Sequence, residues 1–595
     1  MEERESFQTD QHCELAINID FSRGYIEGRG GTSELGQFNY LEQGYIHVVP
    51  LVNGDYNLLV VGRHRSTNEI RLGVLSSSGT IIAEQSITGE PPYTDDWSCS
   101  FVDTYLKEGN RVALICTPNT THVYNPTVDD SSIRALSIAD DSIKLQAVNY
   151  FYWSTPPQGH ISCWHNGRIY RAGFAPSTEI QLDGALPATQ TDIPEAWVLP
   201  GRSKLSIGPH VIAFTDQFDP AGIMAPNVFA VDEGDTITGI KDFREQLVIF
   251  TERSIYVMSG DPAIAGSQLV KVVSGVGCVS PQAIVEGGGA LFFLSHDGMY
   301  VFDGSSATKL TNPIDSLWTG LSHGTHIPNH LTGDVGFSLE YPWRINPRLM
   351  NTATGTHYQT RNQVWFSLPI QGGGAKWGSI TLVFDYIHGA ISLYCRRVAS
   401  NEHWSSYATH RTNEEKLFIL GGVAGQRSSV YTYADQPDDD GVYIPVAWVS
   451  ARHFKENEEY IGVHRPRFRM MSVGKIPTNN PPNWFIEGEE AAWDIELEGV
   501  ANTDRQNANG ALQMHPGADD PAGATDNTYF FGSAVFGTTK FSTDEWFTST
   551  LDMDSIRSRW VRIGFSDFSY ADNRSPLVIL QSYSMDVLGI GTTRA

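Results

Sequence analysis

The sequence predicts an all-β protein built around a β-propeller, and three observations carry that prediction. The first is a hairpin pattern that occurs twice. Gly239-Ile-Lys-Asp-Phe-Arg-Glu-Gln-Leu-Val-Ile-Phe-Thr-Glu-Arg-Ser-Ile-Tyr-Val-Met and Ala290-Leu-Phe-Phe-Leu-Ser-His-Asp-Gly-Met-Tyr-Val-Phe-Asp-Gly each set β-branched and aromatic runs about a polar turn, Thr251–Ser254 and Ser295–Gly298. The two turns stand about 44 residues apart, the length of one propeller blade. The second is composition: 41% hydrophobic and only 18% charged residues, with 56 Gly and 30 Pro, suits a turn-rich β chain. The third is periodicity, because apolar residues mostly alternate and seldom recur at i, i+3, i+4 and i+7.

At 595 residues the chain exceeds one compact core. Residues 1–45 are Gly-rich and irregular, and read as an N-terminal arm or opening strand that borrows its order from elsewhere. Residues 46–440 read as the propeller. Hairpin-like units fall at His47–Gly62, Glu69–Ser86, Arg111–Asn125, His160–Arg171, the two copies above, Arg361–Leu368, Ile380–Tyr394 and Lys416–Tyr433, with an insertion near 312–360. Uneven spacing limits the count to five to seven blades. A single blade cannot bury both faces, so the units must stack about an axis.

From residue 441 the strands lengthen: Tyr443–Val449, Arg465–Val473, Trp484–Val500, Trp560–Asp567 and Leu577–Leu588. Two packed antiparallel sheets, a β-sandwich-like domain over 441–595, would satisfy them. Ala501–Asn527, rich in Asn, Asp, Gly and Ala, reads equally as a projecting loop or as disorder.

The formal net charge is −27, from 68 acidic and 41 basic residues. Gripping a duplex needs the opposite sign. An acidic surface serves solubility, or a wall along which DNA must slide without sticking. The six cysteines, Cys13, Cys99, Cys116, Cys163, Cys278 and Cys395, form no close pair and no zinc pattern, which fits free thiols in a reducing cytoplasm. The first residues show no secretory signal, and no apolar run approaches a membrane span.

Candidate chemistry is sparse, and no catalytic, cofactor-binding or metal residue is assigned. His323, His326 and His330 lie close together but lack a carboxylate partner and a ligand spacing. Asp435-Gln-Pro-Asp-Asp-Asp-Gly441 imitates the start of a calcium loop without its later Glu, and reads as an acidic turn. Ser295-His-Asp-Gly imitates the Asp-box of sialidase-type propellers, but Met299-Tyr300 stands where Thr-Trp should complete it, so a hairpin turn is expected. Nucleophile-elbow, HExxH and Walker motifs are missing. Carboxylates for glycoside hydrolysis could still converge from different blades without a local motif. The 14 Trp and 24 Tyr are expected mainly as blade core.

The stretch Gly275-Val-Gly-Cys-Val-Ser-Pro-Gln-Ala-Ile-Val-Glu-Gly-Gly-Gly-Ala-Leu-Phe-Phe-Leu-Ser-His-Asp-Gly-Met-Tyr-Val-Phe-Asp-Gly resembles tail proteins of short-tailed bacteriophages, namely the tail nozzle (tail tubular protein B) and packaged-DNA stabilisation (hub) proteins. The Phe243–Gly260 unit is similar to the preceding blade of that family, so the firm likeness covers about 237–311. Ala451-Arg-His-Phe-Lys-Glu and Arg465-Pro-Arg-Phe-Arg resemble its C-terminal strands more faintly.

The resemblance implies a non-enzymatic virion protein, made in the host cytoplasm, that forms a homo-oligomeric, sixfold ring below the portal and tail adaptor. Tail fibres or spikes would be neighbours. Double-stranded DNA would pass through the ring's lumen without sequence-specific binding, retained in the particle and released at infection. The rival from another class is a glycan-binding or glycan-hydrolysing propeller with an appended sandwich. A third is a cytoplasmic hub for protein partners, although WD and kelch signatures are missing.

Overall fold

The computed structural model describes most of residues 13–450 together with 4–8. It leaves out short internal stretches and 320–343. Beyond 450 it describes the strands Tyr460–Val473, Asn483–Gly488, Ala492–Asp494, Phe547–Thr550, Ile556–Ser558, Val561–Asp567 and Leu577–Ile590. The loop proposed at 501–527 and the histidines at 323, 326 and 330 lie outside the described residues.

Seven four-stranded antiparallel blades form a propeller. They span Leu41–Ser86, Ser100–Ala135, Ile161–Ala230, Ile237–Ser274, Ile284–Lys309 and Gly355–Tyr394. The seventh combines Glu402–Ala434 with Gly31–Phe38. The first strands of neighbouring blades contact one another around the axis, and Glu402–Arg411 of blade seven meets Leu41–Pro50 of blade one. The two sequence-read hairpins are the second and third strands of blades four and five, with Leu247 opposite Met258 and Leu291 opposite Phe302. Blade three carries an extra two-stranded ribbon, Thr178–Gln181 with Lys204–Ile207, between its second and third strands. That ribbon makes the blade spacing uneven.

Each blade presents alternate residues to its two neighbours, so the core is divided into one apolar cluster per interface. Leu59, Trp97 and Ile115 lie between blades one and two. Val112, Leu114 and Ile169 lie between two and three, and Tyr170, Ile212 and Ile249 between three and four. Phe250 and Phe293 join four to five, Phe292 and Phe384 join five to six, and Phe38, Val60 and Phe418 close seven onto one. Between six and seven the filling is aromatic: Trp365 meets Tyr394 and Tyr433 edge-on with ring centroids 5.1 Å apart in both cases. Such edge-to-face pairs add to plain burial. Among the described residues, these rings are blade core.

Polar stitches accompany the clusters. Ser100 Oγ and Ser162 Oγ are 2.6 Å apart between blades two and three. His165 Nδ1 lies 2.9 Å from Asp242 Oδ1 between three and four. Arg244 donates to the carbonyl oxygens of Gly289 and Asp303 in blade five. Ser280 donates to the Ala353 carbonyl, Ser367 to that of Trp404, and the Ile46 amide to Ser406 Oγ.

The first 45 residues are divided among several sheets. Gly31–Phe38 pairs antiparallel with Ser428–Ala434 as the outer strand of blade seven, so the ring is closed by the chain's early segment. Cys13–Ile17 pairs with Val446–Ser450 and touches the outer strand of blade six, which joins that blade to Val561–Asp567 and Asn483–Gly488. Arg4–Gln8 and Ile26–Gly28 pair with Leu577–Ile590, itself paired with Tyr460–Val473. Val442–Tyr443 extends the sheet of blade seven, and the strands from Val446 onward fall in two further sheets, each including strands from the first 28 residues. The stretch read as an insertion near 312–360 contains Gly355–Tyr358, the innermost strand of blade six.

Candidate axial binding site

The innermost strands of the blades run side by side about the axis. Asp103, Lys241 and Thr409 each stand two residues before the end of such a strand, which brings them to one level. They line a cavity of ≈ 430 Å³ that also receives side chains from blades one, five and six. That volume is typical of small-ligand sites. At the ends where these strands begin, Gln282 Nε2 donates to the Cys99 carbonyl oxygen at 2.8 Å, a link from the entry of blade five to the entry of blade two.

Charge in the cavity is organised around Asp103. Its carboxylate meets His47 Nε2 at 3.0 Å and an Arg111 guanidinium nitrogen at 3.2 Å. Burial pushes its pKa up, but the His47 and Arg111 contacts outweigh it and hold Asp103 below the usual carboxylate range. His47 in turn stacks on Phe101, with centroids 4.9 Å apart and planes 4° from parallel.

His410 packs on the Tyr56 ring at 4.8 Å. Burial, aided by Lys416, lowers its pKa and keeps it neutral at pH 7. Arg411 donates to Gln359 Oε1. Lys241 lines the cavity with no ion pair or hydrogen bond among the described residues.

The residues singled out in the sequence are otherwise engaged. Asp297 of the Ser295–Gly298 turn accepts a hydrogen bond from Tyr300 Oη at 2.8 Å, as a turn residue rather than an Asp-box. Asp439 of the acidic run is buried and bound to Arg29. Among the described residues, no group of three or more His, Cys, Asp and Glu is placed to hold a metal ion. No helix among them is long and apolar enough to cross a membrane. The cavity has no local signature in the sequence, because its residues come from six separate blades, with single residues from blades four, five and six. Lys241 in the first quoted hairpin, Gln282 in the Gly275–Gly304 stretch and His47 at the start of the first hairpin-like unit are among its residues, but nothing local joins them.

No protein-family model matches the chain, and no curated protein matches it. Among solved structures it is similar to the acylaminoacyl peptidase of Pyrococcus horikoshii, at 11% identity and a TM-score of 0.33 over 71% of this chain. The match spans 59% of the peptidase chain. The Pan2 WD40 domain of Neurospora crassa is similar at 9% identity and a TM-score of 0.33, covering 68% of this chain and 96% of that one. BBS1N, solved in complex with ARL6DN, is similar at 7% identity and a TM-score of 0.34, covering 68% and 98%. Identity at this level says nothing about shared chemistry.

Proposed function

We propose that this protein is a structural subunit of a short-tailed bacteriophage tail, a nozzle or hub that assembles into a ring below the portal and adaptor, retains packaged DNA and conducts it at infection. The observation that carries the reading is the Gly275–Gly304 stretch. Its family-like motif coincides with the linker into blade five and that blade's first three strands, and the similar preceding unit coincides with blade four. Two further features support it. The formal charge of −27 would repel phosphate along a wall and so lower friction on a moving duplex. Gln282 spans one end of the propeller axis, and the cavity has the volume of a small ligand, so a DNA path must run between subunits and not through a propeller. Against glycoside hydrolysis, the axial cavity is lined by a single carboxylate, Asp103, whose pKa is held below the usual range by His47 and Arg111 and so suits no general acid.

Electron microscopy and native mass of the purified full chain, alone and mixed with phage portal–adaptor complexes, test the reading. A sixfold ring with a central opening and peripheral lobes is expected. A chain that stays monomeric even with those complexes overturns it.

A further inference from the structure

We propose that the axial cavity of the propeller binds a small anionic molecule, one carrying a carboxylate or phosphate on a hydroxylated body. The inference does not depend on the tail reading. It rests on the charge and shape of one place in the molecule.

The chain as a whole is strongly acidic, yet the charged residues lining this cavity are two cations, Lys241 and Arg411, against one carboxylate, Asp103. Asp103 is already balanced by the neighbouring Arg111 guanidinium and by His47, so it does not offset Lys241. Lys241 lines the cavity, and its side chain makes no hydrogen bond or ion pair among the described residues. A partly enclosed ammonium interacts with a charge partner more strongly than one in open water, because the surrounding dielectric is lower. An anion is the ligand that satisfies it.

The size and the remaining walls define the body of the ligand. A volume of ≈ 430 Å³ admits a molecule of sugar size. Thr356 and Thr409, on the neighbouring inner strands of blades six and seven, line this space, and Phe101, stacked on His47, adds an aromatic ring to its lining. Hydroxyl and aromatic groups of this kind receive a polyol: one supplies hydrogen bonds, the other stacks the apolar face of a ring. The Gln282–Cys99 hydrogen bond crosses one end of the axis, and the ligand would enter from the opposite end.

The test is calorimetric titration of the full-length protein at low salt with gluconate, glucose 6-phosphate and glucose. Gluconate and glucose 6-phosphate separate a carboxylate from a phosphate preference, and glucose removes the charge. Binding of at least one anion, with glucose at least tenfold weaker, is expected. Lys241→Met should weaken the bound anion tenfold or more, and Lys241→Arg should restore most of the affinity. Far-ultraviolet circular dichroism and an unchanged unfolding midpoint certify that each variant is folded. The proposal is overturned if neither anion binds the wild-type protein, if glucose binds as well as they do, or if a folded Lys241→Met variant binds like wild type.

Discussion

Arg29 and Asp439, 410 residues apart in the chain, form a buried ion pair, with the two residues 2% and 1% exposed. The guanidinium also donates to Asn18 Oδ1 at 2.9 Å and to the carbonyl oxygens of Gly30 and Cys395, and it lies 4.8 Å from the centre of the Trp404 ring. Asp439 accepts a further hydrogen bond from Thr32 Oγ1 at 3.0 Å. Burial works against the arginine's charge, and Asp439 more than compensates for it. One side chain thereby ties the closing strand of the ring, the outer end of blade six and the acidic run that follows blade seven.

Arg29→Met should accordingly destabilise the protein by about 3–5 kcal/mol, because it leaves the Asp439 carboxylate buried without its partner. Asp439→Asn should cost less, since the amide oxygen can still accept. The double variant Arg29→Met/Asp439→Asn should lose less than the two single losses summed, because no buried charge is left unpaired. Urea unfolding of the four proteins gives the coupling energy, and strictly additive losses would mean the pair acts as two independent contacts.

Gly277→Ala should cost about 1–3 kcal/mol through forced backbone displacement. A Cβ at that position would stand 1.9 Å from the Thr251 carbonyl oxygen, which belongs to backbone and cannot swing away. Thermal unfolding measures it. Wild-type stability in the variant would show that the Gly275–Cys278 link can move off blade four.

Acid should destabilise the fold through His357 and His410. Burial is the leading cause that lowers the pKa of each. A folded-state pKa below the unfolded value means that protonation favours the unfolded chain. The stability held by the neutral rings is present above the unfolded value of about 6.5. It is lost as pH falls through that value towards the folded one. The unfolding midpoint should drop between roughly pH 7 and 5, and His357→Gln/His410→Gln should flatten that slope. An unchanged slope in the double variant would assign it to other groups.

Thiol labelling of the native protein should leave Cys99, Cys116, Cys163, Cys278 and Cys395 unmodified, since all five are buried thiols outside any disulfide. Burial raises the thiols of Cys163, Cys278 and Cys395 to about 12, far from the reactive thiolate. Iodoacetamide followed by peptide mass spectrometry, before and after denaturation, checks it. Rapid native labelling of any of the five would place an opening motion at its blade interface.

Blades four and five were legible because their second and third strands are almost wholly apolar, as in Leu247–Phe250 and Leu291–Leu294, and their turns are short and polar. Gly355–Tyr358 gave no such signal. It is four residues long, and its Thr and His read as loop although it forms the innermost edge of a blade. Nor does Gly31–Phe38 announce its partner, since pairing across 395 residues leaves nothing local to read. The cavity suffers the same limit more severely: His47, Asp103, Lys241 and Thr409 share no spacing, and only closure of the ring makes them neighbours.

That closure also sets a timetable for synthesis. Glu34 leaves the ribosome 395 residues before Ser429, its neighbour across the last blade. At translation rates of about 5–20 residues per second, the early strand waits roughly 20–80 s for its partner. Its sequence, Gly-Thr-Ser-Glu-Leu-Gly-Gln-Phe, is well suited to waiting. Two glycines, a glutamate and only two large apolar side chains make it a poor seed for aggregation while unpaired. The segment that shuts the ring is therefore one that tolerates exposure to water until the remainder of the wheel has been made.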